Sequence, residues 1–515
     1  MPLSYRNIYY WCLLLSCWGA FSCASANKNK SSEIAKTPAP AQTYRAEVES
    51  NSFDDEHWVH PLPDSSLLLV SLKRSSWFSK APFIITKYDK QLKQVLRVEH
   101  EQKSGSNLYK IASDRNKAYL LFAPRDPKRL QLYQVDLSNG SYVYSEHVMP
   151  SSNFNIKEMK VLQGQIFLYA LEHIKLNMLL LDPSKEELRQ LPAVFGLEDD
   201  LGEFRVDTIS NAVEFVVAES NGWRSRLQTK RMNASGDVIG TYFLQPNMQY
   251  RDDNTLQIAR LTPGDTLQKL LIGTYGYRTS MFARGLFSSD LTGNIKYYDF
   301  SQLEYFFEYT SPRRQRKMKA KFARQEAKGK PLVLRYRLLL HPIMPHPLGY
   351  AIVGEVYYPQ YRSYQYTTAS GNPNFGNGPH TRQIYDGFRF THAIACVFDR
   401  QGNLLWDNSF RLSNATYPEL APTVEAGITP NGDITLVYPK EEHLHYKTLK
   451  PGTSLSNEEN VPIKLKEETE KLVSSDQEGI VQWYGSHFIS FGFQRIRPAD
   501  GSARSVFFLQ EVVYE

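Results

Sequence analysis

Two stretches of this chain concentrate side chains suited to recognition. The first, residues 357–388, holds Tyr357, Tyr358, Tyr361, Tyr364, Tyr366, Phe375 and Tyr385 among Asn, Gly, Pro and Arg. Tyrosine is rigid and amphipathic, so it stacks on a sugar or a peptide while its hydroxyl takes a hydrogen bond. Arg362, His380 and Arg382 would add polar contacts. Gly371, Asn372, Asn374, Gly376, Asn377 and Gly378 point to irregular backbone, so a long recognition loop, or a plug over a central channel, is expected.

The second stretch, 312–330, carries Arg313, Arg314, Arg316, Lys317, Lys319, Lys321, Arg324, Lys328 and Lys330 against Glu326 alone. It is net +8 in a chain of net +6, which leaves the rest at −2. The basic balance is therefore local. Pro312 suits a first helical position, Gly329 suits a stop, and Met318 and Phe322 lie i,i+4 on one face. Such a helix binds an anionic membrane surface or another polyanion, or else is solvated with its two apolar residues packed on the body. The apolar run at 303–307 would dock it.

Residues suited to catalysis or metal binding are sparser. Glu441-Glu442-His443-Leu444-His445 presents two imidazoles at strand spacing, but two ligands on one segment do not make a zinc site. His341, Met344 and His346 offer nitrogen and sulfur donors in a Pro-rich loop. Neither set is completed, so no metal and no cofactor are expected. There is no G-x-S-x-G elbow, H-E-x-x-H, Walker A or EF-hand loop. The acidic groups Asp54-Asp55-Glu56, Asp199-Asp200 and Asp252-Asp253 are adjacent in sequence, and neighbours on a strand point to opposite faces. They do not define a glycosidase-type pair, and no catalytic residue is assigned.

The N-terminus indicates export. Arg6 precedes a 14-residue apolar stretch at 8–21, too short to span a bilayer and of the length of a signal-peptide core. Ala24-Ser25-Ala26 offers an ordinary cleavage site, and the protein would then be secreted. Ala20-Phe21-Ser22-Cys23 resembles a bacterial lipobox, which makes Cys23 a lipidated first residue. The four cysteines are Cys12, Cys17, Cys23 and Cys396, so no ladder of disulfides is possible. Residues 1–22 are read as a signal peptide and 23–43, rich in Ala, Ser, Lys, Asn and Pro, as a flexible tether. Asn27, Lys28, Asn29 and Lys30 replace the acidic residues of surface-export signals, which favours a periplasm-facing outer-membrane location.

The body, 44–515, must position these stretches. At 515 residues and 59.3 kDa the chain is too long for one ordinary domain. It is 42% hydrophobic, 22% charged and 13% aromatic, which excludes wholesale disorder and leans toward β structure. Short apolar or alternating runs at 66–72, 83–88, 118–122, 130–135, 166–171, 212–218 and 270–275 are separated by polar turns. The series continues at 350–356, 393–398, 434–438, 487–493 and 506–513, where Cys396 reads as an inert buried thiol.

Asx-type turns recur behind Asp89, Asp136, Asp182, Asn233, Asp290 and Asp399, at spacings of 47, 46, 51, 57 and 109 residues. Weaker turns follow at 450–452 and 498–501. A period near 50 with paired hairpins predicts an all-β chain folded as a β-propeller of seven or eight blades, with two β-sandwiches as the alternative. The doubled last spacing implies a divergent unit or an insertion, and the basic helical insertion is placed at about 304–330.

Phe398-Asp399-Arg400-Gln401-Gly402-Asn403-Leu404-Leu405-Trp406 resembles the blade motif of PQQ-type propellers, in which the Trp packs between blades. The resemblance covers about one-tenth of the chain and implies fold, not cofactor. The chain as a whole is similar to uncharacterised propeller-type lipoproteins of Gram-negative bacteria, which implies location. The expectation is a non-enzymatic envelope lipoprotein whose propeller is a binding or scaffolding platform. Its partner would be an envelope protein or an anionic envelope polymer, with the membrane reached through the lipid and no nucleic acid bound. The alternative is a glycan-binding or glycan-cleaving envelope enzyme with dispersed carboxylates.

Overall fold

The computed structural model describes residues 38–74, 82–103, 105–191, 196–197, 200–220, 225–246, 254–264, 268–277, 281–329, 334–367, 379–452 and 459–515. Cys23, the signal segment and most of the tether lie outside these residues, as do Asp199 and the Asp252-Asp253 pair. The first strand, β1 (Ala41–Glu49), begins within the last residues of the segment read as tether.

Blade 1 is β2 (Asp55–Pro61), β3 (Leu67–Lys73), β4 (Pro82–Tyr88) and β5 (Gln94–Glu101). Blade 2 is β6 (Ser106–Ser113), β7 (Lys117–Pro124), β8 (Arg129–Asp136) and β9 (Tyr142–Val148), and blade 3 is β10 (Phe154–Leu162), β11 (Gln165–Glu172), β12 (Lys175–Leu181) and β13 (Arg189–Leu191). Blade 4 is β14 (Leu201–Asp207), β15 (Ala212–Ser220), β16 (Ser225–Met232) and β17 (Val238–Leu244). Blade 5 is β18 (Asn254–Leu261), β19 (Leu270–Tyr277), β20 (Ala283–Asp290) and β21 (Ile295–Asp299).

The helix α1 (Pro312–Glu326) follows blade 5. Blade 6 is β22 (Arg337–Leu340), with β23 (Met344–His346) beside it, then β24 (Gly349–Thr367), β25 (Pro379–Phe398) and β26 (Leu404–Tyr417). Blade 7 is β27 (Glu425–Ile428), β28 (Ile434–Lys440), β29 (His443–Leu449) and β30 (Glu459–Pro462). Blade 8 is β31 (Lys471–Tyr484), β32 (His487–Arg497) and β33 (Arg504–Val513), completed by β1. Among the described residues these are eight antiparallel sheets, and the fold is an eight-bladed β-propeller.

The core is divided among the seams between blades. Second and third strands are apolar on both faces, as in Leu67-Leu68-Leu69-Val70 of β3, because each sheet is covered by a neighbour on either side. Leu68, Phe83, Leu120 and Tyr133 fill the seam of blades 1 and 2, and Ile352, Cys396, Leu270 and Leu286 fill that of blades 5 and 6. The ring is closed by β1, which pairs with β33 from Ala41 opposite Val513 to Glu49 opposite Val506. Arg504 holds Glu47 of β1 at 2.7 Å and Glu470 at 2.7 Å, so the closing strand is also pinned by charge. Closure removes the free edge of an open sheet.

The recurrent Asp and Asn residues close the turns between third and outer strands. Asp399 is typical: its carboxylate accepts from the Gln401 and Asn403 amides at 2.9 and 2.7 Å, and Gly402 takes φ +78°. Trp406, two residues into β26, packs half-buried on the seam of blades 6 and 7. One turn reading needs correction, and the doubled spacing is explained by an insertion. The turn at 498–501 joins β32 to β33, the second and third strands of blade 8, because the outer strand there is β1. The 109-residue gap from Asp290 to Asp399 contains one blade, lengthened by the α1 insertion and by a long hairpin.

Strand direction alternates across each blade. Connections between blades and turns between second and third strands therefore emerge on one face. The insertion before β22 and the β24–β25 hairpin are such connections, so blade 6 carries both elements on that face. The bridge between Ala283, at the start of β20, and Tyr336 fixes the returning end of the insertion there.

Candidate functional site

The tyrosine-rich stretch is not an irregular loop. Among the described residues it is a two-stranded ribbon, because its tyrosines and threonines favour extended backbone. Its tip, 368–378, with Phe375, lies outside the described residues. β22 accompanies β24 only to Tyr357, and β26 accompanies β25 only to Phe388. From Gln360 and Gly387 outward the strands pair with each other alone, over eight residues of β24 or about 25 Å. Gly387, at φ +115°, marks the exit. A Cβ there would lie 2.5 Å from the Tyr417 carbonyl oxygen, so glycine is what lets β25 leave its neighbour.

The ribbon has two dissimilar faces. Tyr361 stands opposite Tyr385 at a ring distance of 5.8 Å, and the stack runs down through Phe388 (5.5 Å from Tyr385) and Tyr357 (5.6 Å from Phe388) to buried Phe390. Tyr358, Arg362, Tyr364, Arg382 and Ile384 alternate with that set, on the other face. Arg362 reaches Asp386 at 3.3 Å. Tyr361 and Tyr364 are more than half exposed, at 55% and 59%. Tyr366 pairs with His380 through the backbone, and their side chains are outside the described set. The structure therefore brings Tyr361, Arg362, Tyr364, Arg382 and Tyr385 into one ribbon, with Tyr357 and Tyr358 at its base in the blade.

The insertion is anchored before its helix begins. Phe300, Leu303, Phe306 and Phe307 are buried in the seam of blades 5 and 6, as the apolar run at 303–307 predicts. Asp407 accepts from the Glu304 and Tyr305 amides, both at 2.9 Å, and Ser409 donates to the Tyr305 carbonyl. Tyr309 stacks on His392 at 3.8 Å. His392 is wholly buried, and burial pushes its pKa down to about 3, so it is a neutral ring in the packing. Sequence reasoning missed His392, whose signal is only an imidazole within an apolar strand.

Pro312 opens α1 and Gly329 follows its end at φ +65°. Gln315, Met318, Phe322 and Gln325 form the half-covered stripe, with Phe322 5.5 Å from Phe307. Arg313, Arg314, Arg316, Lys317, Lys319, Lys321 and Arg324 are all exposed. Among the described residues none of them takes part in an ion pair.

The histidines weighed as metal ligands have other partners. His341 Nε2 contacts the Glu355 carboxylate at 2.7 Å and His346 Nε2 contacts the Gly432 carbonyl at 2.7 Å. His443 Nδ1 lies 2.8 Å from the Glu441 carbonyl, and the His445 ring stacks on Tyr438. Among the described residues no three His, Cys, Asp or Glu side chains are placed to hold a metal ion. Cys396 is buried, and burial pushes its thiol well up, as expected of an inert cysteine. No helix among the described residues is long and apolar enough to cross a membrane.

Several carboxylates meet that sequence spacing does not reveal. Glu355 accepts from His341, from the Thr423 hydroxyl and amide and from the Val424 amide, and it is fully buried. Burial pushes up the carboxyl of Glu425, which Glu355 reinforces and His341 opposes. Burial likewise raises Glu203, which sits 3.5 Å from Arg260. A mainly aliphatic cleft of about 320 Å³ at blades 4–6 is lined by Leu201, Ile258, Leu338 and Leu340, with Asp200 and Arg260 as its charged members. Among the described residues Glu355 and Glu203 are held by these partners, and neither lines that cleft.

No family model matches the chain, and no curated protein matches it in sequence. Among solved structures it is similar to the polysaccharide lyase Uly1, at 8% identity and TM-score 0.36 over 79% of this chain and 90% of that one. A functionally unknown protein from Desulfotomaculum acetoxidans is similar at 8% identity and TM-score 0.34, over 74% and 95%. A Synechocystis apocarotenoid oxygenase is similar at 10% identity and TM-score 0.28, over 49% and 60%.

Proposed function

We propose that this protein is a non-enzymatic binding platform of the cell envelope, anchored through a lipid on Cys23, and that the blade 6 ribbon is its contact surface for an envelope protein. The observation that carries the reading is the ribbon itself. A two-stranded ribbon with no third strand and no covering layer is marginal in water. Here it displays Tyr361, Tyr364, Ile384 and Tyr385 beside Arg362 and Arg382, with Tyr358 at its base, and aromatic residues and arginine are enriched in protein interfaces. Glu355 and Glu203 are buried and engaged, which supports binding over hydrolysis.

The anchor would hold the disc at the membrane and the tether would let its ribbon face reach a partner. The test is crosslinking and affinity recovery of full-length tagged protein from native envelopes. A version with 360–387 replaced by a short turn and a Cys23→Ala version run alongside. The reading expects a stoichiometric partner that is lost with the ribbon. It expects Cys23→Ala protein to leave the membrane fraction. A clean monomer, or a partner that survives ribbon removal, contradicts it.

A further inference from the structure

We propose that α1 is a second, separate contact element, which binds a linear acidic polysaccharide. The inference goes beyond the ribbon reading and does not depend on it. A basic amphipathic helix ordinarily engages a bilayer by sinking its apolar face among the lipid tails. In α1 that face is already used. Met318 and Phe322 pack on the seam of blades 5 and 6, together with the half-covered Gln315 and Gln325. The arc left to solvent holds Arg313, Arg314, Arg316, Lys317, Lys319, Lys321 and Arg324 with Ala320 and Ala323, and no large apolar residue.

A folded protein partner needs aromatic or aliphatic anchors at the centre of its contact, and this arc offers none. It offers exposed cations that take part in no ion pair among the described residues, along a 15-residue helix about 22 Å long, on every side except the docked one. That arrangement suits a chain carrying one carboxylate or sulfate per repeating unit, because any crossing angle meets cations and no fixed sequence is required. Four of the seven are arginines, whose planar forks take oxyanions in pairs. The export expected from residues 1–22 would remove nucleic acid from the reasonable partners. Binding of this kind is driven by release of counterions and weakens steeply with salt.

The experiment uses the full chain with polygalacturonate as the probe, followed by biolayer interferometry from 50 to 300 mM salt. Two other probes run in parallel: polyglutamate, and vesicles of phosphatidylglycerol with phosphatidylethanolamine. A variant carries Gln at all seven positions, since Gln keeps the helix propensity of Lys and Arg. Circular dichroism and the melting temperature confirm that it folds, and Lys317→Glu with Lys321→Glu serves as a lighter second variant. The expected result is polygalacturonate binding that falls about tenfold or more between 50 and 200 mM salt, by analogy with counterion release from other polyanions. It should be abolished in the seven-Gln variant and weakened in the lighter one, while recovery of the ribbon's partner is unchanged. Equal binding by the seven-Gln variant overturns the proposal, as does a preference for vesicles or for polyglutamate over polygalacturonate.

Discussion

The seam of blades 4 and 5 and the helix α1 both concentrate charge, and they treat it in opposite ways. At the seam the Lys269 ammonium is wholly buried, 2.6 Å from Asp207 and 2.8 Å from Glu214. Arg205 and Arg231 each approach Glu214 at 3.0 Å, and Lys269 also donates to the Thr262 carbonyl. An unpaired ion in that setting costs several kcal/mol, so every member is matched. On α1 seven exposed cations take part in no ion pair among the described residues. Charge that serves the fold is buried and compensated, and charge left outside is available to something else.

The sharpest way to break this contrast is Lys269→Met, which among the described residues leaves Asp207 only the Arg205 cation at 3.4 Å and takes one of three cations from Glu214. We expect a loss of about 3–5 kcal/mol in denaturant melts, partly restored by adding Asp207→Asn. A loss below about 1 kcal/mol would mean that the seam charges are as dispensable as surface ones.

Acid provides the next test. Burial alone would push the Asp207 carboxyl up, but the Lys269 ammonium beside it holds it down to about 2. A depressed carboxyl contributes stability that is full above its ordinary pKa and lost as pH falls through about 4 toward 2. His392 acts earlier. Its ring stays neutral in the fold down to about 3 while the unfolded chain protonates near 6.5, so stability declines as pH drops below about 6.5. Melting temperatures across pH 3–8 should fall on the acid side, and His392→Phe should flatten the upper part of that fall.

Smaller effects are expected at the helix. Phe322→Ala should cost about 1 kcal/mol, because the ring is only partly buried, and should speed amide exchange in α1 more than elsewhere. The seven-Gln variant of α1 should change stability by no more than about 0.5 kcal/mol, read from the same melts. A large loss there would make α1 a structural element and erase the contrast.

The parts of this fold legible in the sequence are those with one dominant requirement. All twelve apolar runs lie in second and third strands, where burial on both faces demands continuous Leu, Val, Ile and Phe. The inner strands are harder to read: β10, Phe154-Asn155-Ile156-Lys157-Glu158-Met159, mixes buried apolar with exposed polar residues, and its register against β11 shifts between Ile156 and Glu158. The Asx turns were visible because one side chain closes each of them. The last turn misled because the outer strand of blade 8 comes from the other end of the chain, which no local signal encodes.

Of the candidate site, the residue composition was legible and its geometry was not. Tyrosines at 357–366 suggest recognition, but the Gly/Asn cluster at 371–378, which lies outside the described residues, suggests irregular backbone for the whole stretch, whereas 357–367 and 379–388 are strand. The Glu355–His341–Thr423 and Asp207–Glu214–Lys269 groups join residues 14 to 82 positions apart or drawn from different strands, so spacing says nothing of them.

The central claim is that outward contact belongs to the blade 6 ribbon rather than to the disc at large. The most direct measurement places a photo-crosslinking residue at Tyr364 on the ribbon, or at exposed Val143 on the outer strand of blade 2, and irradiates intact envelopes. The account predicts a discrete protein adduct from position 364 and none from 143. Equal adducts from both positions, or none from 364, would contradict it.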